Sequence, residues 1–82
     1  MAMRQWQDVD GTHIDVRGLS PPQPMVAILR LLQSAGEGEA VIAHLDRDPQ
    51  MLYPELAQIG WQAEAVAADP GETRLRLTRI PA

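Results

Sequence analysis

The sequence contains no cysteine and no lysine. Without cysteine the chain cannot form disulfides, thiolate zinc sites or iron–sulfur clusters, and it has no cysteine nucleophile. All 7 basic residues are arginine, and 11 acidic residues give a net charge of -4. Binding to nucleic acid requires a basic face that displaces phosphate counterions. The composition therefore argues against a nucleic-acid partner.

Long apolar runs are also missing. No run reaches the ~18 residues of a membrane span, and the first residues have no apolar core like that of a signal peptide. We expect a cytoplasmic protein that does not bind membranes. The 82 residues leave room for one small domain. A chain of this size is marginally stable, which is compatible with weak homo-oligomerisation.

The first half of the chain has the pattern of a strand, a helix and a second strand. Residues 1–10 are predicted to be a loose lead-in to a single domain at residues 11–82. Residues 12–17 alternate as a half-buried strand does. An amphipathic stripe predicts a helix that begins near Pro24 and stops before Gly36. Residues 39–45 form a short apolar run, which predicts a central strand.

The second half predicts another helix and a hairpin. Asp48 and Pro49 are typical of a helix N-cap followed by a first-turn proline. Either the helix proper starts only at Pro54, or it is kinked there. Residues 61–67 and 73–80 alternate on either side of a Pro-Gly turn, which predicts antiparallel strands.

This order, β-α-β-α-β-β, predicts an α+β domain in two layers. The strand–helix–strand unit implies that the first two strands are parallel and joined by a right-handed crossover. Each helix has one apolar stripe, and the first and fourth strands carry charge on one face. We therefore predict a two-layer α/β sandwich with a mixed four-stranded sheet, both helices on one face and the other face open.

The segment between the first strand and the first helix carries a family pattern. It matches Asp, two residues, Gly-Leu, one residue, Cys-Pro, one residue, Pro at all positions but the cysteine. The matching residues are Asp15, Gly18, Leu19, Pro22 and Pro24. Pro21 stands at the cysteine position. In this pattern the chain resembles the TusA-like (SirA-like) sulfur carriers.

A later segment resembles one uncharacterised bacterial branch of that fold more closely. The branch lacks the cysteine and has the pattern Asp-x-x-Pro-x-x-Leu-Tyr, which Asp46, Pro49, Leu52 and Tyr53 fit. Its domains occur alone or beside hemerythrin-like domains. The resemblance covers roughly residues 12–80. It implies the sheet order 1-2-4-3 and no established activity.

The residues at the carboxyl edge of the parallel strands are the predicted binding edge, because ligands of open α/β sheets bind there. They are Gly18, Ser20, Pro22, Pro24, His44, Asp46 and Asp48. Pro21 offers no nucleophile, so sulfur transfer is chemically excluded. The prolines fit a rigid helix start or, alternatively, a contact surface for a partner.

His44 is the residue around which a metal or small-ligand site would form. With Asp46 and Asp48 it could supply mixed nitrogen and oxygen ligands, but both acids also have structural explanations as cap and loop. His13 is expected about three positions from His44 along the sheet, on the order of 10 Å away. We therefore predict no metal site and no cofactor.

The open face of the sheet is predicted to carry charge of mixed sign. Arg17, Arg74 and Arg76 point outward there, together with Asp15 and Glu64. Such a face is either solvated, with weak cross-strand pairs, or a contact surface for an anion or a protein. Trp6 lies outside the predicted elements, as a cover over the core or as an exposed contact.

These observations predict a small non-enzymatic binding or adaptor domain with an unidentified protein partner. His44 could act as a general base, but Ser20 is the nucleophile candidate at the edge and is better explained as a cap, so a catalytic set is missing. The alternative function is a metal- or small-ligand-binding domain centred on His44.

Overall fold

The computed structural model describes residues 3–81, which form five strands and two helices. The strands are β1 (Arg4–Asp8), β2 (Gly11–Asp15), β3 (Val41–Leu45), β4 (Trp61–Val66) and β5 (Thr73–Arg79). The helices are α1 (Gln23–Gln33), which follows β2, and α2 (Leu52–Gln58), which follows β3.

All five strands belong to one mixed sheet in the order β1-β2-β3-β5-β4. β2 and β3 are parallel, whereas the pairs β1–β2, β3–β5 and β4–β5 are antiparallel. The α+β class agrees with the prediction. The predicted four-stranded sheet is wrong, because β1 adds a fifth strand at the edge next to β2.

The additional strand lies within residues 1–10, for which the sequence predicted no regular structure. Val9 and Asp10 form a two-residue turn, and β1 runs back along β2 with Trp6 opposite His13. Gly11 permits this hairpin because its φ is 133° and because a Cβ at this position would collide with the Ala40 carbonyl oxygen. The hairpin therefore depends on a glycine at its first β2 position.

The hydrophobic core lies between the two helices and one face of the sheet. Alternate strand residues such as Ile14, Ala43 and Leu77 join it from the sheet, and Ile28 and Leu56 join it from α1 and α2. Both helices therefore cover the same face. The alternate residues in between, including His13 and His44, lie on the other face.

The start of α1 is built as the prolines predict. Pro22 occupies the N-cap and Pro24 lies in the first turn, where backbone N–H groups have no partner within the helix. The Pro21–Pro22 peptide bond is cis. Because each proline ring fixes φ, the three prolines restrict the backbone where the chain enters the helix.

The start of α2 differs from both predicted starts, because the helix begins at Leu52, between Pro49 and Pro54. Met51 is the N-cap, and the helix makes no side-chain cap hydrogen bond, so the predicted N-cap role of Asp48 is wrong. Asp48 instead accepts hydrogen bonds from the Tyr53 hydroxyl and the Gln50 amide. Pro54 lies within the first turn, where its missing N–H costs little.

Neither helix between residues 3 and 81 has the length and apolar character that crossing a membrane requires.

Candidate functional site

Two histidines meet on the sheet face that the helices leave open. β2 and β3 pair with Thr12 opposite Val41, which puts His44 opposite Asp15 and two residues beyond the partner of His13. The two imidazoles therefore project from the same face. His13 Nδ1 lies 2.8 Å from His44 Nε2, so the predicted separation of about 10 Å is wrong.

Each histidine also contacts a carboxylate through its second ring nitrogen. Asp10 Oδ1 lies 2.7 Å from His13 Nε2, and Glu72 Oε2 lies 2.6 Å from His44 Nδ1. The four side chains Asp10, His13, His44 and Glu72 form a continuous chain of contacts, which we call the histidine relay. It runs from the β1–β2 turn to the start of β5.

The middle of the histidine relay is shielded from water. The His13 and His44 side chains are each 9% exposed, and that of Glu72 is 3% exposed. Trp6 contributes to this burial, since its ring stacks on His13 at 5.0 Å and lies 5.3 Å from His44. The Asp10 side chain, at 54% exposed, is the open end.

Two arginines contact Glu72 at the other end of the histidine relay. Glu72 accepts hydrogen bonds from Arg74 Nε and Nη2 at 2.9 and 3.1 Å, and Arg17 Nη1 lies 3.7 Å from Glu72 Oε1. Hydrogen bonds from Arg74 and then His44 lower the pKa of Glu72 to about 2, against the opposing effect of burial. Glu72 is therefore a buried carboxylate in its charged form.

The predicted open-face arginines thus have different surroundings. Arg17 also forms a two-pronged pair with Asp15, whose pKa it lowers, with contacts of 3.0 and 2.8 Å. Arg76 lies on the same face, opposite Ile42 and Glu64 in the sheet register, and is exposed. Arg17 and Arg74 therefore belong to one charged cluster around Glu72.

A further carboxylate, that of Asp8, lies near the exposed end of the histidine relay. Asp8, Asp10 and His13 each offer one ligating atom, and these three atoms all lie within 4.8 Å of one another. Asp8 is the last residue of β1 and Asp10 lies in the β1–β2 turn. Both are exposed, whereas His13 is buried. A hydrogen bond from His13 is the largest cause that lowers the pKa of Asp10.

Four residues of the predicted binding edge, Pro22, Pro24, Asp46 and Asp48, line a groove of about 430 Å³ on the helical side, which we call the proline groove. Pro21 lines the same groove. Gly18 adjoins the groove and donates its N–H to Asp46 Oδ2 at 2.8 Å. The backbone carbonyl of Ser20 accepts from the Gln23 N–H of the helix start.

His44 does not share this edge with the other predicted residues. Its neighbour Leu45 lines the proline groove, and because side chains alternate along a strand, His44 points to the open face. The fold therefore does not bring His44, Asp46 and Asp48 together as a metal site. The predicted edge separates into a groove on one side and a histidine pair on the other.

Sequence analysis missed three residues of the open-face site: Asp8, Asp10 and Glu72. It named Trp6 as a cover over the core or an exposed contact, whereas Trp6 covers the histidine pair on the open face. Asp10-Gly11 is a dipeptide typical of hairpin turns and was the available signal for the leading hairpin. Glu72 lies in the loop before β5, and no sequence pattern marks its contact with His44.

The sequence comparisons identify a family and no characterised relative. No curated protein matches the chain. The family described as "Uncharacterized conserved protein (DUF2249)" matches residues 13–79. This match includes His13, His44, Glu72 and the proline groove, and it begins after Trp6, Asp8 and Asp10. Because the match spans most of its length, the chain belongs to the DUF2249 family of uncharacterized conserved proteins.

Proposed function

We propose that this protein is a small, non-catalytic binding domain of the TusA-like type, in the bacterial cytoplasm, that holds a partner protein in its proline groove. The observation that carries this proposal is the groove itself. It is lined largely by apolar groups, and its walls come from the family-pattern segment and from the loop before α2. A concave, mostly apolar site with a few polar groups at its edge is the usual form of a ligand site.

The chemistry of the groove favours binding over catalysis. Pro21 stands at the position of the sulfur-carrier cysteine and supplies neither a thiol nor an N–H. His44 uses both ring nitrogens in contacts with His13 and Glu72, so neither is free to accept a proton from Ser20. Rigid proline walls reduce the conformational entropy that is lost when a partner binds.

The occupant that fits this groove is an extended partner segment with one apolar anchor side chain. The apolar walls would bury the anchor, and such buried anchors carry most of the affinity of an interface. Asp46 and Asp48 are exposed beside the apolar surface. Arg47 also lines the groove and offsets one of these charges, and the net negative charge that remains favours a basic residue next to the anchor.

Site-specific photo-crosslinking in cells tests this proposal. A photoreactive side chain at Met51, which lines the groove and is 74% exposed, should give one discrete protein adduct. Pro21→Glu puts a charge into the groove and should remove that adduct while the circular dichroism spectrum stays unchanged. The same reactive group at Ile80, which is 47% exposed and outside the groove, is the matched control. Equal adducts at both positions, or none at residue 51, contradict the proposal.

A second candidate function is supported by a separate observation. The histidine relay buries two imidazoles against each other and connects them to two carboxylates. In the alternative function, a metal- or small-ligand-binding domain centred on His44, this residue would orient His13 and not bind the ligand itself, because both of its ring nitrogens are engaged. The two candidate sites lie on different sides of the sheet and can be tested independently.

A further inference from the structure

Strand β1 lies at one edge of the sheet, and no other strand between residues 3 and 81 pairs with its outer side. On its inner side Gln7 lies opposite Thr12 and Gln5 opposite Ile14. The Thr12 N–H points away from β1, because it donates to the Ala40 carbonyl at 3.1 Å. Antiparallel strands alternate between hydrogen-bonded and non-hydrogen-bonded pairs, so both of these pairs are non-hydrogen-bonded. The N–H and C=O groups of Gln5 and Gln7 therefore point outward from the sheet edge.

The sequence of β1 is complementary to a second copy of itself. It has Trp6 at its centre, a glutamine on each side of Trp6 and opposite charges at its two ends. When two copies pair antiparallel about Trp6, Arg4 faces Asp8 of the second copy and Gln5 faces Gln7 of the second copy. Each of these contacts occurs twice, because a two-fold interface uses the same surface on both chains.

We propose that two copies of this chain form a dimer through their β1 strands, so that their two sheets become continuous. The strands are antiparallel, and the two-fold axis is perpendicular to the sheet and passes between the two Trp6 residues. Each Gln5–Gln7 pair exchanges both backbone hydrogen bonds, using the groups that point outward in the single chain. This inference is independent of the proposed function, because the proline groove is lined by residues that follow β2.

The charges at the ends of β1 set the direction of the pairing. Arg4 and Asp8 are exposed, and the ion pairs among residues 3–81 include neither of them. Both lie on the same face as Trp6, since side chains alternate along a strand. Antiparallel pairing brings each arginine to an acid, whereas parallel pairing in register would bring like charges together. Opposite charges directly across two strands are stabilising, and like charges are destabilising.

The other edge of the sheet lacks this complementarity. β4 lies at that edge, and its one charged residue is Glu64. A second β4 would bring no opposite charge to it. Proteins often protect an exposed edge with a proline or a β-bulge, but β1 has no proline and its register with β2 has no bulge. β1 is therefore the edge that suits self-association.

Apolar side chains next to β1 give the second copy further surface to cover. Met3 and Val26 are 40% and 43% exposed. Together with Gln5 and Leu31 they line a groove on the helical side, between the β1 edge and α1. A two-fold axis perpendicular to the sheet keeps both α1 helices on this side. We therefore expect the second copy to shield part of this groove, which stabilises the dimer in proportion to the apolar area that is buried.

Sedimentation velocity of the untagged full chain over a concentration series is the direct test. We expect a reversible equilibrium between monomer and dimer, because one pair of short strands makes a small interface. Arg4→Asp and Asp8→Arg each put like charges at both ends of the pairing and should weaken dimerisation at least tenfold. Arg76→Asp makes the same change of charge at an exposed position of β5 and should leave the equilibrium unchanged.

Exchanging the charges tests the register and separates lost pairing from failure to fold. The double variant with Arg4→Asp and Asp8→Arg reverses each ion pair and should dimerise as the original protein does. An equal mixture of the two single variants should form a mixed dimer, because every acid of one chain then faces an arginine of the other. A variant that fails to fold would be rescued in neither experiment.

A substitution at Gln5 tests the backbone contacts. Gln5→Pro removes the outward N–H, whereas Gln5→Ala retains it. We expect Gln5→Pro to abolish the dimer with little change in the circular dichroism spectrum, and Gln5→Ala to retain it. In the original protein, amide hydrogen exchange at Gln5 and Gln7 should slow as the dimer forms.

Two results would overturn the proposal. One is a chain that stays monomeric up to millimolar concentration, because the β1 edge then binds another partner or none. The other is a dimer that Arg4→Asp and Gln5→Pro leave equally strong, because the two chains then meet at another surface.

Discussion

The two faces of the sheet bury their side chains by different means. On the helical face, residues such as Ile14 and Ala43 are excluded from water by apolar contacts with α1 and α2. On the open face, their chain neighbours His13 and His44 reach nearly the same burial under one tryptophan and within a network of charged groups. The same strands thus contribute to a core held by apolar contacts, which have no preferred direction, and to a polar cluster held by hydrogen bonds and ion pairs, which do.

This difference has a consequence for substitutions. The stabilising free energy of apolar burial is roughly proportional to the area that is removed from water. The cost of truncating a side chain on the helical face therefore depends on how much of the side chain is removed. A buried polar network instead depends on each proton and each charge having a partner. The two faces should therefore respond differently to truncation, to pH and to loss of their cover.

The largest effect is expected on the helical face. Leu77 is fully buried there, and Leu77→Ala would leave a cavity in addition to losing apolar contact. We expect the free energy of unfolding to fall by about 3 kcal/mol, measured by urea denaturation at pH 7. The loss should be similar at pH 5, because the buried core cluster that contains Leu77 consists of apolar residues that do not titrate between pH 5 and 7. A strong pH dependence would show that the two faces are coupled.

The next effect belongs to the open face and depends on pH. Glu72→Gln should reduce stability by about 2 kcal/mol at pH 7, because hydrogen bonds to a buried charged group are lost. The pKa of Glu72 is lowered in the folded state to about 2, from a usual 4.5. Its contribution is therefore complete above about pH 4.5 and is lost as the pH falls toward 2.

The stability difference between the original protein and Glu72→Gln should shrink over the same range. Parallel urea titrations at pH 5, 4 and 3 measure it, with Glu64→Gln, an exposed acid on the same face, as the control. A difference that stays constant down to pH 3 would mean that Glu72 is not held as a charged group.

Removing the Trp6 ring should have a small effect on the free energy of unfolding and a larger effect on the access of reagents to the two imidazoles. Trp6→Ala should cost about 1 kcal/mol, the scale of an aromatic stacking contact. It should also expose the imidazoles, so that modification of His13 and His44 by an acylating reagent, followed by mass spectrometry, becomes several-fold faster. Gln5→Ala alters the adjacent β1 residue on the other face and should leave the modification rate unchanged. Equal rates in both variants would mean that Trp6 does not shield the pair.

The smallest effect is expected for an exposed arginine. Arg76→Gln should change the free energy of unfolding by less than about 0.5 kcal/mol, since exposed ion pairs contribute little. Arg74→Gln, two residues away, should cost about 1 kcal/mol because Arg74 bonds to the buried Glu72. Thermal unfolding of the two variants side by side measures this contrast. Equal losses would remove the distinction between the charged cluster and the solvated face.

Sequence periodicity was sufficient for the regular elements that pack on the core. The β2, β3, β4 and β5 strands and the start of α1 have apolar patterns that only burial explains, and they form close to the predicted residues. β1 has no such pattern, because Gln5 and Gln7 alternate with one tryptophan. Its position depends on a tight turn and on pairing with β2, which are tertiary effects.

The histidine pair could not be found without the strand register. The sequence predicted an offset of about three positions between His13 and His44, whereas the fold pairs Thr12 with Val41 and leaves an offset of two. A shift of one residue transfers a side chain to the opposite face. His13 and His44 therefore change from distant residues to contacting ones. The loop carboxylate of Glu72 is likewise brought to His44 only by the folded chain.

The family match covers only part of the open-face site. Residues 13–79 carry the two imidazoles, Glu72 and the arginines, whereas Trp6, Asp8 and Asp10 precede the matched segment. The cover and the outer carboxylates of the histidine relay therefore lie outside the segment that shows the family, whereas the two imidazoles and Glu72 lie within it. A change in the leading hairpin alone can expose the histidine pair to water without altering the family segment.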